Sequence, residues 1–284
     1  NTTKAERKSA PVHPGAQLGF EGDEWKVVVI SDKGAIGKEA ACFYGGNQQE
    51  TRWCTSAPGL SYFNHYITSG PLYVVYKKDD PEVSPGSGLP KNRYQFHFPS
   101  NQFMDKDDRS IDLIKMLNGP MEELKQYFKP EFAKSLVTGD NKALKIDNFQ
   151  SGHTGKYVAL YGVEDLFEVV SDEIQEMVMQ NQSNSTVSIK LPNVFGRFKN
   201  LKMVLFDNCV VNIPPSLCEC EKIHFISFMN NKELTEIPEC IGNMPNLMFL
   251  NLKGSNVTNI PESIQKRAQQ KLGMSMWEFT DEED

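Results

Sequence analysis

Long apolar runs, clustered positive charge and paired metal-binding cysteines are all lacking in this sequence of 284 residues. Its apolar stretches, such as Val27 to Ile30, are far shorter than the roughly 18 residues that a membrane-spanning helix requires. A formal net charge of −7 argues against nucleic acid as a partner, because binding to nucleic acid draws on clustered Lys and Arg. We therefore expect no membrane partner and no nucleic-acid partner.

The six cysteines form no CxxC pair. A structural zinc site needs two pairs of ligands, and the neighbouring Cys218 and Cys220 have no second pair. The sequence therefore predicts no metal site and no cofactor. Because the chain is long enough to build a hydrophobic core, the scattered cysteines are interpreted as reduced, with one or two disulfides as the alternative.

Internal repetition is the strongest pattern, and it lies in the last third of the chain. Three segments with the pattern LxxLxL begin at Leu201, Ile223 and Leu247. Each segment continues to an Ile-Pro pair followed by another Leu or Ile. The repetition resembles the leucine-rich repeat family, whose unit spans about 20–29 residues and contains a short strand and a polar turn. The resemblance implies a stack of strands whose turns hold Cys209, Asn231 and Ser255.

The rest of the chain predicts a second domain. Strand-like patterns at residues 25–30, 72–76 and 93–98 are followed by helical stretches, by strand-like segments at 142–149 and 156–161, and by an amphipathic helix at 163–179. The predicted fold class is α+β, with an N-terminal mixed α+β domain over residues 20–180 and a short leucine-rich-repeat stack with a C-terminal capping helix over 185–279. Residues 1–19 are predicted to be an arm or linker, and residues 280–284 an acidic tail.

A second resemblance covers about residues 40–108. Its motifs are Trp53-Cys54-Thr55, a Gly-Pro-Leu-Tyr-Val-Val run, the Tyr94-Gln-Phe-His-Phe strand, and Gln102-Phe-Met-Asp. This layout resembles an uncharacterised domain of large tailed-bacteriophage proteins. The resemblance implies a virion-associated phage protein that lies in the virion or the host cytoplasm and has capsid or tail proteins as partners. It carries over no catalytic role.

The leading functional hypothesis is a non-enzymatic protein-interaction protein that uses the concave face of the repeat stack. A repeat stack presents an extended surface and supplies no chemistry of its own. The strand positions expected to face the partner are Lys202, Leu205, His224, Phe225, Ser227, Met248, Phe249 and Asn251.

A thiol hydrolase of the papain-like type is the alternative. Cys54 would be the nucleophile, His97 on the strand at 93–98 the base, and Asp105 the orienting residue, because such enzymes place these three roles in that order along the chain. The competing interpretation is that Trp53 and Cys54 fill the core. The neighbouring acidic turn, which includes Asp107 and Asp108, is interpreted as a helix cap rather than a calcium loop.

Overall fold

The computed structural model describes residues 11–46, 51–80, 92–139, 142–147, 152–182, 185, 187–270 and 277–278. The chain forms two compact units, residues 1–128 and residues 129–284. Residues 1–10 of the predicted arm and the predicted acidic tail lie outside the described residues, whereas residues 17–19 of the arm belong to the first strand, Gln17–Glu21. No helix in the described ranges is long and apolar enough to cross a membrane.

The first unit contains an antiparallel sheet whose strands follow one another in chain order. Its strands are β1 (Gln17–Glu21), β2 (Trp25–Ile30), β3 (Leu72–Lys77), β4 (Arg93–His97) and β5 (Gln102–Asp105). Helices α1 (Ala35–Gly45) and α2 (Ser61–Ile67) and the 3₁₀ turn Cys54–Ser56 lie between β2 and β3. After the sheet come α3 (Leu113–Leu117), the 3₁₀ turn Glu122–Leu124 and α4 (Lys125–Ser135), which runs across the boundary between the units.

In β2, β3 and β4 side chains on both faces of the sheet are buried, whereas those of β1 are exposed or half-buried. Successive residues of a strand point to opposite faces, so other elements must cover each face. One face packs against α1 and α2 through a core that includes Val28, Val74, Trp53 and Phe63. On the other face, the ring of Phe128 in α4 contacts the rings of three aromatic residues, Tyr73, Phe96 and Phe98. The polar positions of β4 are therefore enclosed rather than exposed to solvent.

The second unit contains a sheet with seven strands among the described residues. The strands are β6 (Val137–Thr138), β7 (Ala143–Asp147), β8 (Glu176–Gln180), β9 (Met203–Asp207), β10 (Phe225–Ser227), β11 (Phe249–Asn251) and β12 (Trp277–Glu278). From β7 to β12 all pairings are parallel, and β6 is antiparallel to β7. The helices are α5 (Gly152–Tyr161), α6 (Val163–Val169) and α7 (Glu262–Gln270), with 3₁₀ turns at Phe195–Arg197, Pro215–Glu219 and Glu239–Asn243.

One buried row of aliphatic side chains and a methionine runs through this sheet in register. Its members are Leu144, Met177, Val204, Ile226 and Leu250, each at most 1% exposed. Because neighbouring members of the row pair in register, the row forms a continuous core. Burial of each such side chain contributes roughly 1.5–3 kcal/mol to the stability of the fold.

The turns after the strands repeat as well. Asn208, Asn230 and Gly254 each adopt a left-handed backbone conformation, with φ of 54°, 58° and 72°. Asn231, the predicted turn residue, is buried; its Oδ1 accepts from the backbone N–H groups of Cys209 and Val210, and its Nδ2 donates to the carbonyl of Phe206. Asn231 therefore has the architectural role predicted for it.

The predicted architecture is wrong, although the protein is α+β. The segments at Leu201, Ile223 and Leu247 do not begin a separate stack after residue 185, because β6, β7 and β8 from the predicted first domain already belong to the same sheet. The spacing recurs before and in β8 as Ile174-x-x-Met177-x-Met179, with methionine at two of the three positions, and these methionines pair in register with Val204 and Phe206. In β7 only the alternating pair Leu144 and Ile146 is buried at the corresponding positions.

Three further local predictions differ from the structure. Residues 156–161, predicted as a strand, lie in α5, and the helix predicted over 163–179 ends at Val169 before the strand β8. Cys218 and Cys240, predicted to be reduced, form a disulfide between two 3₁₀ turns. The cap of α3 is Asp112, whose Oδ1 accepts from the backbone N–H of Lys115 at 3.1 Å, rather than Asp107 or Asp108.

Candidate functional site

The first candidate surface is the face of the second sheet opposite the buried row. Met203 of β9, Phe225 of β10 and Phe249 of β11 are direct neighbours in the register of this sheet. The rings of Phe225 and Phe249 stack with centroids 4.6 Å apart and an interplanar angle of 8°. All three side chains are only half-buried. We call Met203, Phe225 and Phe249 the apolar row.

Exposed residues stand immediately before the strands that carry this row. Lys202, His224 and Met248 are exposed, and the backbone links them, since His224 N–H donates to the carbonyl of Lys202 and Met248 N–H donates to that of His224. Met248 keeps 54% of its surface exposed. The structure thus brings together five of the eight predicted partner-binding residues: Lys202, His224, Phe225, Met248 and Phe249.

The remaining three predicted residues lie further along the strands. Leu205 is half-buried, and its register neighbour Ser227 is buried with its hydroxyl donating to Oδ1 of Asp207 at 2.8 Å. Asn251 is half-buried and accepts from the backbone N–H of Lys253. Ser227 was therefore wrongly predicted to be available to a partner, because a buried, hydrogen-bonded hydroxyl is inaccessible.

The second candidate is a cavity of about 130 Å³ in the first unit. It lies on the face of β4 and β5 that also packs against α2. Its lining consists of Cys54, Tyr66, Leu72, Gln95, His97, Gln102, Met104 and Asp108. In the register of the sheet, Gln95 lies opposite Met104 and His97 opposite Gln102, so the two strands contribute two pairs of lining residues.

Cys54 lines this cavity and begins the 3₁₀ turn, while Trp53 beside it is buried and donates its indole N–H to the carbonyl of Asp105 at 2.7 Å. Burial raises the pKa of the Cys54 thiol, and the carboxylate of Asp108 raises it further. A nucleophilic cysteine needs the opposite, a pKa lowered by a positive neighbour or a helix N-terminus. The Cys54 thiol therefore stays protonated at neutral pH.

His97 shares the cavity with Cys54, but both of its ring nitrogens are engaged elsewhere. Nε2 lies 3.0 Å from the carbonyl of Tyr66, which can only accept, so Nε2 carries the proton. Nδ1 lies 2.7 Å from the Ser100 hydroxyl and accepts from it. Burial lowers the pKa of the imidazole, which keeps it neutral. In this arrangement His97 cannot take a proton from Cys54.

Asp105, the third member of the predicted catalytic set, holds a turn instead of orienting His97. Its Oδ1 accepts from the backbone N–H groups of Asp107 and Arg109 at 2.9 and 3.0 Å. It is not among the residues that line the cavity. Cys54 and His97 therefore line the same cavity, but the hydrogen-bonded chain from thiol to imidazole to carboxylate, which the predicted thiol hydrolase requires, is not formed.

Neither candidate region contains a cluster of metal-binding side chains among its described residues. Within the described ranges, no three His, Cys, Asp or Glu residues lie close enough together to hold a metal ion.

Sequence reasoning missed most of the cavity lining, namely Tyr66, Leu72, Gln95, Gln102, Met104 and Asp108. A signal was present in β4, where Arg93, Gln95 and His97 alternate with aromatic residues. Such alternation is typical of a strand with one solvated face. Here the polar face is buried as well, with Gln95 only 8% exposed.

The comparisons with known proteins give this site no precedent, since no protein-family model matches the chain and no curated protein matches it significantly.

Proposed function

We propose that this chain is a non-enzymatic protein-binding protein whose partner docks on the apolar row and on Met248 beside it. The observation that carries the proposal is the alignment of Met203, Phe225 and Phe249 on the outward face of a parallel sheet, in positions that are only half-buried. Aromatic residues and methionine are enriched in protein interfaces, where the partner buries their remaining surface.

The residues at the edge of this surface indicate the chemistry of the partner. Lys202 and His224 are exposed at the starts of β9 and β10, next to Met203 and Phe225. The ammonium group of Lys202 lies beside the apolar row, where Glu176 is the register neighbour of Met203. This ammonium group favours a partner that places an apolar side chain on the row and a carboxylate next to Lys202. Such an ion pair at the edge of an interface contributes to orientation and association rate more than to affinity.

The resemblance of residues 40–108 to a domain of large tailed-bacteriophage proteins supports a capsid or tail protein as this partner. A virion component must recognise other proteins of the particle, and a preformed rigid sheet face suits such recognition because little ordering is required on binding.

A photo-crosslinking amino acid at position 248 tests the proposal in infected cells or assembled particles. Tyr62 of the first unit, with 59% of its surface exposed, provides a matched control position. We expect one defined protein to be crosslinked from position 248 and not from position 62. The crosslinked protein, once purified, is then titrated against variants.

Met248→Glu should weaken binding of that protein at least tenfold, because a charge would have to be buried against the apolar row. Tyr62→Glu should leave the affinity unchanged, and Lys202→Glu should mainly slow association at low salt. Unchanged affinity of the Met248→Glu variant, or equal crosslinking from both positions, would refute the proposal.

A further inference from the structure

The two phenylalanine rings of the apolar row are stacked across neighbouring strands. Phe225 and Phe249 are register neighbours on β10 and β11, and their ring centroids lie 4.6 Å apart with an interplanar angle of 8°. This distance is close to the spacing of about 4.7–4.9 Å between adjacent strands of a sheet. One ring therefore lies beside the other along the direction that joins the strands, and both rings have the same orientation.

The centroid distance also limits how the rings can be tilted. Carbon atoms of stacked rings stay roughly 3.5 Å or more apart. Parallel planes with that separation and with centroids 4.6 Å apart have normals within about 40° of the line that joins the two strands. The faces of Phe225 and Phe249 are therefore turned mainly toward neighbouring strands, and ring edges are directed away from the sheet.

The neighbours of the two rings leave mainly these edges accessible to a partner. One face of each ring is covered by the other ring, and Met203 is the register neighbour of Phe225 on its second side. Both phenylalanines are nevertheless only half-buried. The edge of an aromatic ring is the positive part of its quadrupole, and the face is the negative part. The centre of the docking surface is thus apolar and weakly electropositive.

This charge distribution discriminates among the apolar side chains that a partner could place there. The negative face of an aromatic ring complements the positive edges, and edge-to-face contacts are a preferred arrangement of aromatic pairs. Met248 directly precedes Phe249 and keeps 54% of its surface exposed. Its thioether sulfur also makes favourable contacts with aromatic rings. An aliphatic side chain on the same surface would gain only the burial of its apolar area.

Charged groups are poor occupants of the same place. Cations bind to the faces of aromatic rings, and in this pair each ring covers a face of the other. Glu176, which could attract a cation, is the register neighbour of Met203 on β8 and lies on the side of Met203 away from the rings. A carboxylate placed on the rings would lose its hydration without gaining a hydrogen bond there. A neutral aromatic ring is the group that fits.

We propose that the partner protein is anchored by an aromatic side chain whose ring lies flat across the edges of Phe225 and Phe249, in contact with Met248. This inference rests on the proposed docking surface and names the side chain that the surface selects.

Three small probes of similar shape test the anchor: the amides of N-acetyl-phenylalanine, N-acetyl-cyclohexylalanine and N-acetyl-pentafluorophenylalanine. Each is titrated into the whole protein with ¹³C-labelled methionine methyl groups, and the signals of Met203 and Met248 are followed by two-dimensional NMR spectroscopy. We expect the phenylalanine amide to cause saturable shifts with a dissociation constant on the order of several millimolar, because a single side chain supplies few contacts.

The other two probes separate the aromatic contact from burial of apolar area. The cyclohexyl ring is the more apolar, so burial alone would make its amide bind more tightly than the phenylalanine amide. The pentafluorophenyl ring has a positive face, which the ring edges would repel. We expect each of these amides to bind at least about threefold more weakly than the phenylalanine amide.

A double variant, Phe225→Leu/Phe249→Leu, assigns the preference to the two rings. It keeps an apolar surface and removes the ring edges, so the affinity ratio of the phenylalanine amide to the cyclohexylalanine amide should fall to one or below. A general loosening of the sheet would weaken both probes alike and leave this ratio unchanged. Tyr62→Leu, which removes an exposed aromatic ring of the first unit, is the matched control and should not alter the ratio.

The aromatic anchor is overturned if the cyclohexylalanine or pentafluorophenylalanine amide binds as tightly as the phenylalanine amide, if no probe binds saturably, or if the double variant keeps the wild-type ratio. The comparison of probes on the wild type holds even if the double variant does not fold. A failure of the docking surface itself has a different signature. Crosslinking from position 248 and the effect of Met248→Glu persist if only the anchor is wrong, and both are absent if the surface binds no protein.

Discussion

Glu123 stabilises the turn between β1 and β2 by accepting hydrogen bonds from three consecutive backbone N–H groups, those of Asp23, Glu24 and Trp25. The donors lie 98 to 100 residues away in the chain. Hydrogen bonds to a charged group contribute roughly 1.5–3 kcal/mol each when one partner is removed. Asp23 and Glu24 are exposed, so water can replace the carboxylate at their N–H groups, and only the N–H of the buried Trp25 loses its acceptor. We therefore expect Glu123→Ala to lower the free energy of unfolding by about 2–3 kcal/mol, measured by urea denaturation.

The neighbouring Glu122 is exposed and provides the control for this variant. Glu122→Ala should change the free energy of unfolding by no more than about 0.5 kcal/mol, as is usual for surface substitutions. A similar effect of the two substitutions would show that the three N–H groups find other acceptors.

Asp207 gives the second unit a pH dependence. Burial raises the pKa of its carboxyl group, although hydrogen bonds from the Ser227 hydroxyl and the Met229 N–H act in the opposite direction. Since the folded-state pKa exceeds that of the unfolded chain, the folded protein binds more protons between the two values. The contribution of Asp207 to stability is therefore full below its unfolded-state pKa and is lost as the pH rises through the folded-state pKa.

Asp207→Asn removes this titration and keeps an oxygen that can accept both hydrogen bonds. We expect the free energy of unfolding of the variant, relative to the wild type, to increase between pH 3.5 and pH 7, as measured by urea denaturation at both values. Asp23→Asn, at an exposed position of the first unit, should show no comparable change. A constant difference between wild type and Asp207→Asn would contradict the assigned direction.

The residues of the two candidate regions differ in how well the sequence predicts them. Phe225, Phe249 and Met248 follow from the repeat, because a periodic pattern fixes which strand positions point away from the core. Gln95 and Asp108 belong to no pattern. Their proximity depends on how β4, β5 and the following turn fold together, and the pairing of polar groups across strands is not encoded locally.

At the scale of elements, the disulfide between Cys218 and Cys240 links the 3₁₀ turns Pro215–Glu219 and Glu239–Asn243. It closes a loop with a sequence separation of 22 residues. A crosslink of this span restricts the unfolded chain and stabilises the folded state by about 3 kcal/mol in the chain-entropy description.

We therefore expect the double variant Cys218→Ala/Cys240→Ala to unfold at a lower urea concentration than the wild type. Dithiothreitol should lower the midpoint of the wild type to a similar extent and leave that of the double variant unchanged. Cys42→Ala, which removes a free thiol in the first unit, should not abolish the response to dithiothreitol. A double variant that still responds to the reductant would exclude this disulfide as the cause.

Elements with a repeated motif were easier to predict than those without one. The strands β9, β10 and β11 were recognised from a shared motif, whereas β8 was included in a predicted helix, because Val163, Phe167, Val170, Ile174 and Met177 recur at helical spacing. All five are buried, so the apolar pattern was correctly recognised. It could not show that the helix stops at Val169, because both a helix and the segment that leads into a strand can bury residues at that spacing.

At the scale of the whole molecule, the division at residues 128 and 129 predicts local responses to substitution. Amide hydrogen exchange reports the free energy of opening region by region. Glu123→Ala should speed exchange in β2 and β3 and leave β9 and β10 unchanged, and the double cysteine variant should do the reverse. Mass spectrometry of exchanged peptides measures both. Uniform acceleration throughout the chain would mean that the two units unfold as one cooperative body.

The turns at Asn208, Asn230 and Gly254 limit how this sequence can diverge. Left-handed backbone conformations are tolerated by glycine and, among other residues, mainly by asparagine and aspartate. Along the buried row, one aliphatic residue can replace another with little loss of stability. At these three turn positions only a few residue types adopt the required backbone conformation without strain. Distant descendants of this chain would therefore keep an Asn, Asp or Gly every 22 to 24 residues long after their other similarities had faded.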